Sequence, residues 1–201
     1  MLVYVATKNA GKLRELRELV AGTGIKLATF EGYKDPLEGD VSYADNAALK
    51  ARSLRAQLVR AGIEAHVLAD DSGLEVAALG GRPGVLTAYY GGVGLSWAAR
   101  RTHLVDELRR TGGADRRARF VCALHFVDRG GRELACLGTV DGQIAERERG
   151  EAGFSFDPVF VYPALGRTFA ELTAEEKNEV SHRAVAVAGL VAAMRKAGIE
   201  D

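Results

Sequence analysis

The chain has 201 residues and is 47% hydrophobic, enough to bury a sizeable core as one domain, or as two lobes around a shared sheet. Lys plus Arg and Asp plus Glu each total 27, so the formal net charge is zero, unlike the basic footprint of a duplex-binding protein. No apolar run approaches a bilayer span, and the opening MLVYVATKN is too short and lacks the charged leader of a signal, so a cytoplasmic protein that binds neither nucleic acid nor membrane is expected.

Leu2 to Ala6 is a short apolar, β-branched run that reads as a buried strand. Thr7 to Gly11 is a polar loop. Lys12 to Ala21 then reads as a helix, with Leu13, Leu16, Leu19 and Val20 on one face and Gly22 as its stop. Residues 31 to 41 form a Gly/Pro/Asp loop. Ser42 with Asp45 has the spacing of a capping box and starts a helix expected to run through Ala61. A strand over 66–69 leads into Asp70 and Asp71. Gly80 to Gly94 reads as a long glycine-rich loop, and Ser96 as the cap of a helix to about Arg110. Phe120 to Val127 and Glu133 to Val140 are strands joined by Asp128-Arg129-Gly130-Gly131, a hairpin signal. After a loop from Asp141, Val159 to Tyr162 is a last strand. Thr173 with Glu176 is a second capping box, and one final helix is expected to reach about Lys196, with Val180, Ala184, Val187 and Val191 inward. Such alternation is α/β, and the hairpin makes the sheet mixed. The cysteines, Cys122 and Cys136, lack metal-ligand spacing and are expected to be reduced. Arg116, Arg117 and Arg119 read as a solvated face.

Several stretches could carry chemistry. In VLADDSGLEV an apolar run ends in two adjacent acids. Adjacent carboxylates raise each other's pKa and gain from a cation beside them, yet Asp, Ser and Gly are also ordinary turn formers, so a metal site and a polar turn compete. In ATKNAGKLRE a strand, a polar loop and a helix start follow one another, an arrangement whose free N–H groups and dipole favour phosphate. Thr7, Lys8, Asn9, Ala10, Gly11 and Lys12 are its candidate phosphate ligands, although the Walker spacing is absent. In LEGDVSYADNAALKA, Glu38 is a candidate metal ligand, while Asn46 and Lys50 share a helix face at i, i+4. In GFSFDP, aromatics on a glycine-rich loop can stack a base or anchor the loop on the core. In EKNEVSHRA, cations gather at a helix start, where they oppose the dipole, a small cost that hints at an anionic or carbonyl partner.

Taken together, these stretches resemble the inosine triphosphate pyrophosphatase family, in order over nearly the whole chain. The matching motifs are Thr7-x-Asn9-x-x-Lys12-x-x-Glu15, Glu38 ahead of Asn46 to Ala51, the DDSGLEV stretch, and Gly81-x-Pro83-Gly84. Arg149 to Pro158, Thr168 to Leu172 and Lys177 to Ala184 complete them. The family usually reads GFGYDP where this chain has Ser155 and Phe156, and S-A-R-Y where it has Thr87 to Tyr90, with Tyr89 in place of the Arg. The resemblance implies a single domain over 1–201, an elongated mixed β-sheet flanked by helices, with two lobes and a central cleft. It implies a homodimer and a Mg²⁺-dependent hydrolysis of ITP, dITP or XTP to the monophosphate and pyrophosphate. Asp71 is the implied general base, and Glu38 and Asp71 the implied metal ligands. Besides the phosphate loop, the implied substrate residues are Ser72, Phe154, Ser155, Phe156, Asp157, Lys177, His182 and Arg183. A pyrophosphatase of modified pyrimidine nucleotides, or a nucleotide-binding regulator without chemistry, are the alternatives.

Overall fold

The computed structural model describes residues 1–112 and 114–199. Its strands are β1 (Leu2–Val5), β2 (Lys26–Ala28), β3 (His66–Val76), β4 (Pro83–Gly84), β5 (Arg117–Val127), β6 (Glu133–Ile144), β7 (Phe160–Tyr162) and β8 (Arg167–Thr168). Its α-helices are α1 (Ala10–Leu19), α2 (Tyr43–Arg60), α3 (Trp97–Arg110), α4 (Ala174–Val180) and α5 (His182–Lys196). The strand order is β2-β1-β3-β5-β6-β7-β8, with β4 pairing on β3. Parallel pairs (β1 with β2 and with β3) and antiparallel pairs (β3 with β4, β6 with β7, β7 with β8) make the sheet mixed, as the hairpin signal required.

The chain forms two compact units, one of Met1–Asp71, Cys122–Gly138 and the residues from His182 onward, the other of Ser72–Val121 and Thr139–Ser181. In the first unit, β1 pairs in register with β3 through Val3 with His66, Tyr4 with Val67 and Val5 with Leu68. Side chains on successive strand residues point to opposite faces. Leu68 accordingly packs with Leu16 of α1 and Leu190 of α5, whereas Val67 and Ala69 pack with Leu54 and Leu58 of α2. The sheet of this unit is therefore covered on both faces, and Val67 to Ala69 of β3 form an unbroken apolar run for that reason. At Gly138 of β6, a Cβ would meet the His182 carbonyl and the Ala186 amide, so the missing side chain lets the start of α5 lie directly on the strand.

The second unit has its own core, built from Leu74 and Val76 of β3, Leu104 and Leu108 of α3, Phe120, and an aromatic group of Phe156, Phe160 and Phe169. The rings of Phe120 and Phe160 lie 4.3 Å apart, and those of Phe160 and Phe169 4.9 Å. Arg117 and Arg119 are exposed and paired with Asp115 and Asp141, a solvated face as expected, whereas Arg116 departs from that expectation: it is partly buried and donates to the carbonyls of Ile144 and Ala145.

Several elements differ from the sequence-based expectation, among them the short strands β4 and β8, where loop is expected. The strand over 66–69 does not stop at the acids; β3 runs on to Val76, because Leu74 and Glu75 pair with Gly84 and Pro83 and the Leu74 amide donates to Thr87 Oγ1 at 2.8 Å. Pairing and burial override the turn preference of Asp-Asp-Ser-Gly. The final helix is two helices, since Ser181 takes extended angles (φ −75°, ψ 155°). Strand β2 carried no signal above its three residues. Neither Cys122 nor Cys136 is in a disulfide, as expected.

Candidate active site

The end of β1 feeds a tight polar turn. The Asn9 amide donates to Thr7 Oγ1 at 3.1 Å, and Asn9 Oδ1 accepts the Lys12 amide at 3.1 Å, making Asn9 the N-cap of α1. The cap starts the helix at Ala10, earlier than the hydrophobic pattern suggested, and leaves Ala10 and Gly11 in the first turn, where amides lack intrahelical acceptors. Lys12 aims its ammonium at Asp70 Oδ2, 3.0 Å away. Lys8 is exposed and pairs with Asp35 at 2.8 Å. A cavity opens beside this turn, lined by Thr7, Asn9, Ala10, Phe30 and Tyr33.

On the α2 side of β3, Ser42 accepts the Asp45 amide and begins the helix. One turn in, buried Asn46 exchanges hydrogen bonds with Gly39, its Nδ2 donating to the carbonyl at 3.0 Å and its Oδ1 accepting the amide at 2.9 Å. This clamps the loop that carries Glu38. Asn46 Nδ2 also reaches Asp71 Oδ2 at 3.4 Å. One turn further, Lys50 Nζ lies 2.7 Å from Asp71 Oδ1, 3.0 Å from Glu38 Oε2 and 3.3 Å from the Asp70 carbonyl. Two carboxylates from distant stretches thus converge on one buried positive charge.

The adjacent acids of the sequence consequently do different things. Asp70 shares the Leu68 face and meets Lys12 and Arg183, whereas Asp71 shares the Val67 and Ala69 face and meets Lys50 and Asn46. Burial raises the Asp71 carboxyl above the ordinary carboxylate range; Lys50 and Lys12 oppose that shift, and Glu38 adds to it. Burial pulls the Lys50 ammonium down, but Asp71, Asp70 and Glu38 together carry it above its ordinary value. The two upward shifts have different causes: burial for Asp71, and the surrounding carboxylates for Lys50.

Arg183 and His182 begin α5 and are buried. The Arg183 guanidinium donates to Glu15 and faces Asp70 Oδ2 at 3.6 Å. Lys177, by contrast, belongs to the second unit. Its ammonium donates to Asp157 Oδ2 at 2.6 Å and sits 5.2 Å from the centre of the Phe154 ring. The same Asp157 oxygen accepts the Phe154 amide at 2.7 Å. A Cβ on Gly153 (φ 73°) would strike that oxygen, so the turn requires glycine there. Ser155 is the one non-glycine at positive φ (58°) among the described residues, and its carbonyl accepts from Arg101 Nη1 at 2.9 Å. Phe156 is buried against Trp97 and Tyr90, the anchoring role that aromatics on such loops often have. Phe154 and Ser155 are half-buried, as is Ser72 on β3.

Sequence reasoning placed Lys177, His182 and Arg183 in one donor cluster. The structure pairs Lys177 with Asp157, and Arg183 with Glu15 and Asp70. It adds Asn46, Lys50 and Glu15, for which the i, i+4 pair on α2 and the Glu15 of the first motif were the available signals.

Among the described residues no three or more His, Cys, Asp and Glu side chains gather as a metal site. The donor set nevertheless fits Mg²⁺, which prefers oxygen ligands and is commonly held by one or two carboxylates together with water and substrate phosphates. Glu38 and Asp71 are such a pair, already drawn to one cationic point by Lys50.

An acid pair sorted to two faces of a strand, with a capped strand-to-helix turn beside it, is set in a mixed α/β sheet. The chain belongs to the Ham1 family, whose model matches residues 3–193. It is 45% identical over 191 residues to a dITP/XTP pyrophosphatase of Geobacillus kaustophilus, covering 94% of this chain and 91% of that protein. A dITP/XTP pyrophosphatase of Thermus thermophilus is 43% identical over 198 residues, with 97% and 92% covered. Among solved structures, a HAM1 protein from Coxiella burnetii superposes with a TM-score of 0.83 at 33% identity, covering 98% of this chain and 99% of its own. The family resemblance and the mixed α/β sheet expected from sequence are both borne out. No helix among the described residues is long and apolar enough to cross a membrane.

Proposed function

We propose that the protein hydrolyses non-canonical purine nucleoside triphosphates (dITP, ITP and XTP) to the monophosphate and pyrophosphate, and so cleanses the nucleotide pool. The observation that carries this reading is the convergence of Asp71 and Glu38 on Lys50, with burial raising the Asp71 carboxyl above its ordinary value. The names of the relatives supply the substrate class.

In this reading Asp71 takes the proton of a water that attacks the α-phosphorus, and the pyrophosphate leaves. Mg²⁺, held by Glu38 and Asp71, would neutralise charge on the phosphates. Asn46 orients the Asp71 carboxylate and the Glu38 loop. Lys50 supplies positive charge beside both acids. Thr7, Asn9 and Lys12, with the first-turn amides of α1, hold the phosphates. On the nucleoside, Phe154 offers a stacking face. Lys177 is a donor without an acceptor, which suits the 6-oxygen of hypoxanthine or xanthine and not the 6-amino group of adenine. The substrate is a free nucleotide and the working form a cytoplasmic homodimer, which light scattering checks.

The test is pyrophosphate release from dITP, XTP, dGTP, dATP and modified pyrimidine triphosphates, with Mg²⁺ and with chelator. Release from dITP and XTP that exceeds the rest by at least about a hundredfold and stops with chelator supports the reading. Equal turnover of dATP, or none of any nucleotide, overturns it.

A further inference from the structure

Asp70 is the acid of the pair that the proposed chemistry leaves without a role. It is 1% exposed, and a single oxygen, Oδ2, faces both Lys12 Nζ at 3.0 Å and Arg183 Nη2 at 3.6 Å. Arg183 is itself 2% exposed and bonded to buried Glu15 of α1. These residues tie β3, α1 and α5 together on the face of the sheet away from Asp71.

An acid next to a phosphate-binding lysine subtracts from the pull on a triphosphate, so electrostatic attraction does not explain it. Position does. A lysine side chain loses rotamer freedom when it is fixed on a ligand. The Asn9 cap already fixes the Lys12 backbone. A carboxylate on a strand covered on both faces, and held by a buried arginine, fixes the other end of the side chain before the ligand arrives. The Lys12 side chain as a whole is 17% exposed, whereas Asp70 is buried, so the lysine is anchored without being sealed in.

We propose that Asp70 is a positioning residue, braced by Arg183 and Glu15, that pre-sets the Lys12 ammonium for the triphosphate. The proposal rests on the nucleotide reading above and deepens it.

The experiment is a double-mutant cycle of Asp70→Asn and Lys12→Ala, read by calorimetric binding of tripolyphosphate and by kcat and KM for dITP. Asp70→Asn is expected to weaken tripolyphosphate and raise KM by roughly tenfold, the scale of the lost preorganisation, with kcat within a few-fold. In the Lys12→Ala background it is expected to change neither. An acid that merely neutralises Arg183 predicts the reverse: with Asp70→Asn the anion binds as tightly or more tightly, while thermal stability falls. That result, or an equal loss in the Lys12→Ala background, overturns the proposal, as does wild-type protein that turns over dITP but binds no tripolyphosphate. If Asp70→Asn does not fold, Asp70→Glu keeps the charge and shifts the carboxylate by one methylene. It is expected to lose affinity, and unchanged affinity overturns the proposal. Wild type that releases no pyrophosphate from dITP refutes the nucleotide reading instead, a separate outcome.

Discussion

In the first unit most of the charged candidate groups sit on regular elements and are held by charge, Asp70 and Asp71 on β3, Lys12 and Glu15 on α1, Lys50 on α2 and Arg183 on α5, with Glu38 on a loop. In the second they sit largely on a loop, and a single carboxylate oxygen of Asp157 holds both the Phe154 amide and Lys177. The first arrangement draws several charges into a buried network, where removing one leaves its partners with an unbalanced field. The second combines the Asp157 carboxylate, the Arg101 contact to the Ser155 carbonyl and a turn of unusual backbone geometry.

The largest expected effect is in the first unit. Asp71→Asn keeps the shape and a hydrogen-bonding oxygen but removes the base, so kcat for dITP is expected to fall roughly 10²–10⁴-fold. Circular dichroism and melting should show a folded protein. Near-wild-type turnover in that folded variant would mean the charged network is structural only.

Asp157→Ala asks whether the second unit depends on one carboxylate. Lys177 would be left buried without that partner, a change that typically costs about 3–5 kcal/mol. Melting temperature should drop by many degrees, and KM for dITP should rise in whatever protein remains folded. A shift of only a degree or two would show that the loop has other support.

Ser155→Gly sharpens the comparison from the side of backbone strain. A left-handed conformation costs a non-glycine residue roughly 1–2 kcal/mol, and glycine's extra unfolded-state entropy returns roughly 0.5–1 kcal/mol of that. A small net stabilisation of about 0.5–1 kcal/mol is expected, read by urea denaturation. Destabilisation would mean the serine hydroxyl makes up for the strain.

The smallest effect returns to the first unit, at its surface. Hydrogen bonding from Arg52, with His125 adding to it, holds the Glu133 carboxyl down at about 2. A depressed carboxyl contributes stability that is present above its unfolded value and is lost as pH falls toward its folded one. Glu133→Gln should therefore flatten the loss of stability between the ordinary glutamate range and about pH 2. As the side chains are partly exposed, the difference should stay within about 1 kcal/mol. A steeper acid transition in the variant would contradict the ion pair.

Local signals made most elements legible. Caps at Ser42, Ser96 and Thr173 lie where the helices begin, since a capping hydrogen bond spans only three residues. The motifs around Asp71, Lys12 and Lys177 were legible too, because they are contiguous stretches. The stripe Val180, Ala184, Val187 and Val191 was misleading. It reads as one helix face, yet Val180 packs in the core of the second unit and Val187 and Val191 in that of the first. Periodicity reports that residues are buried and is silent on where.

What the sequence determined by itself was the family, the alternation of strands and helices, and the residue types available for chemistry. Only the tertiary structure decided which acid does what. Asp70 and Asp71 are neighbours in the chain and share composition, charge and context, so no local rule separates them. The extension of β3 through both turns them to opposite faces, and the helices covering those faces bring Lys12 and Arg183 to one and Lys50 to the other. Strand extension here depends on pairing with β4 and burial of Leu74 and Val76, contacts made by residues distant in sequence.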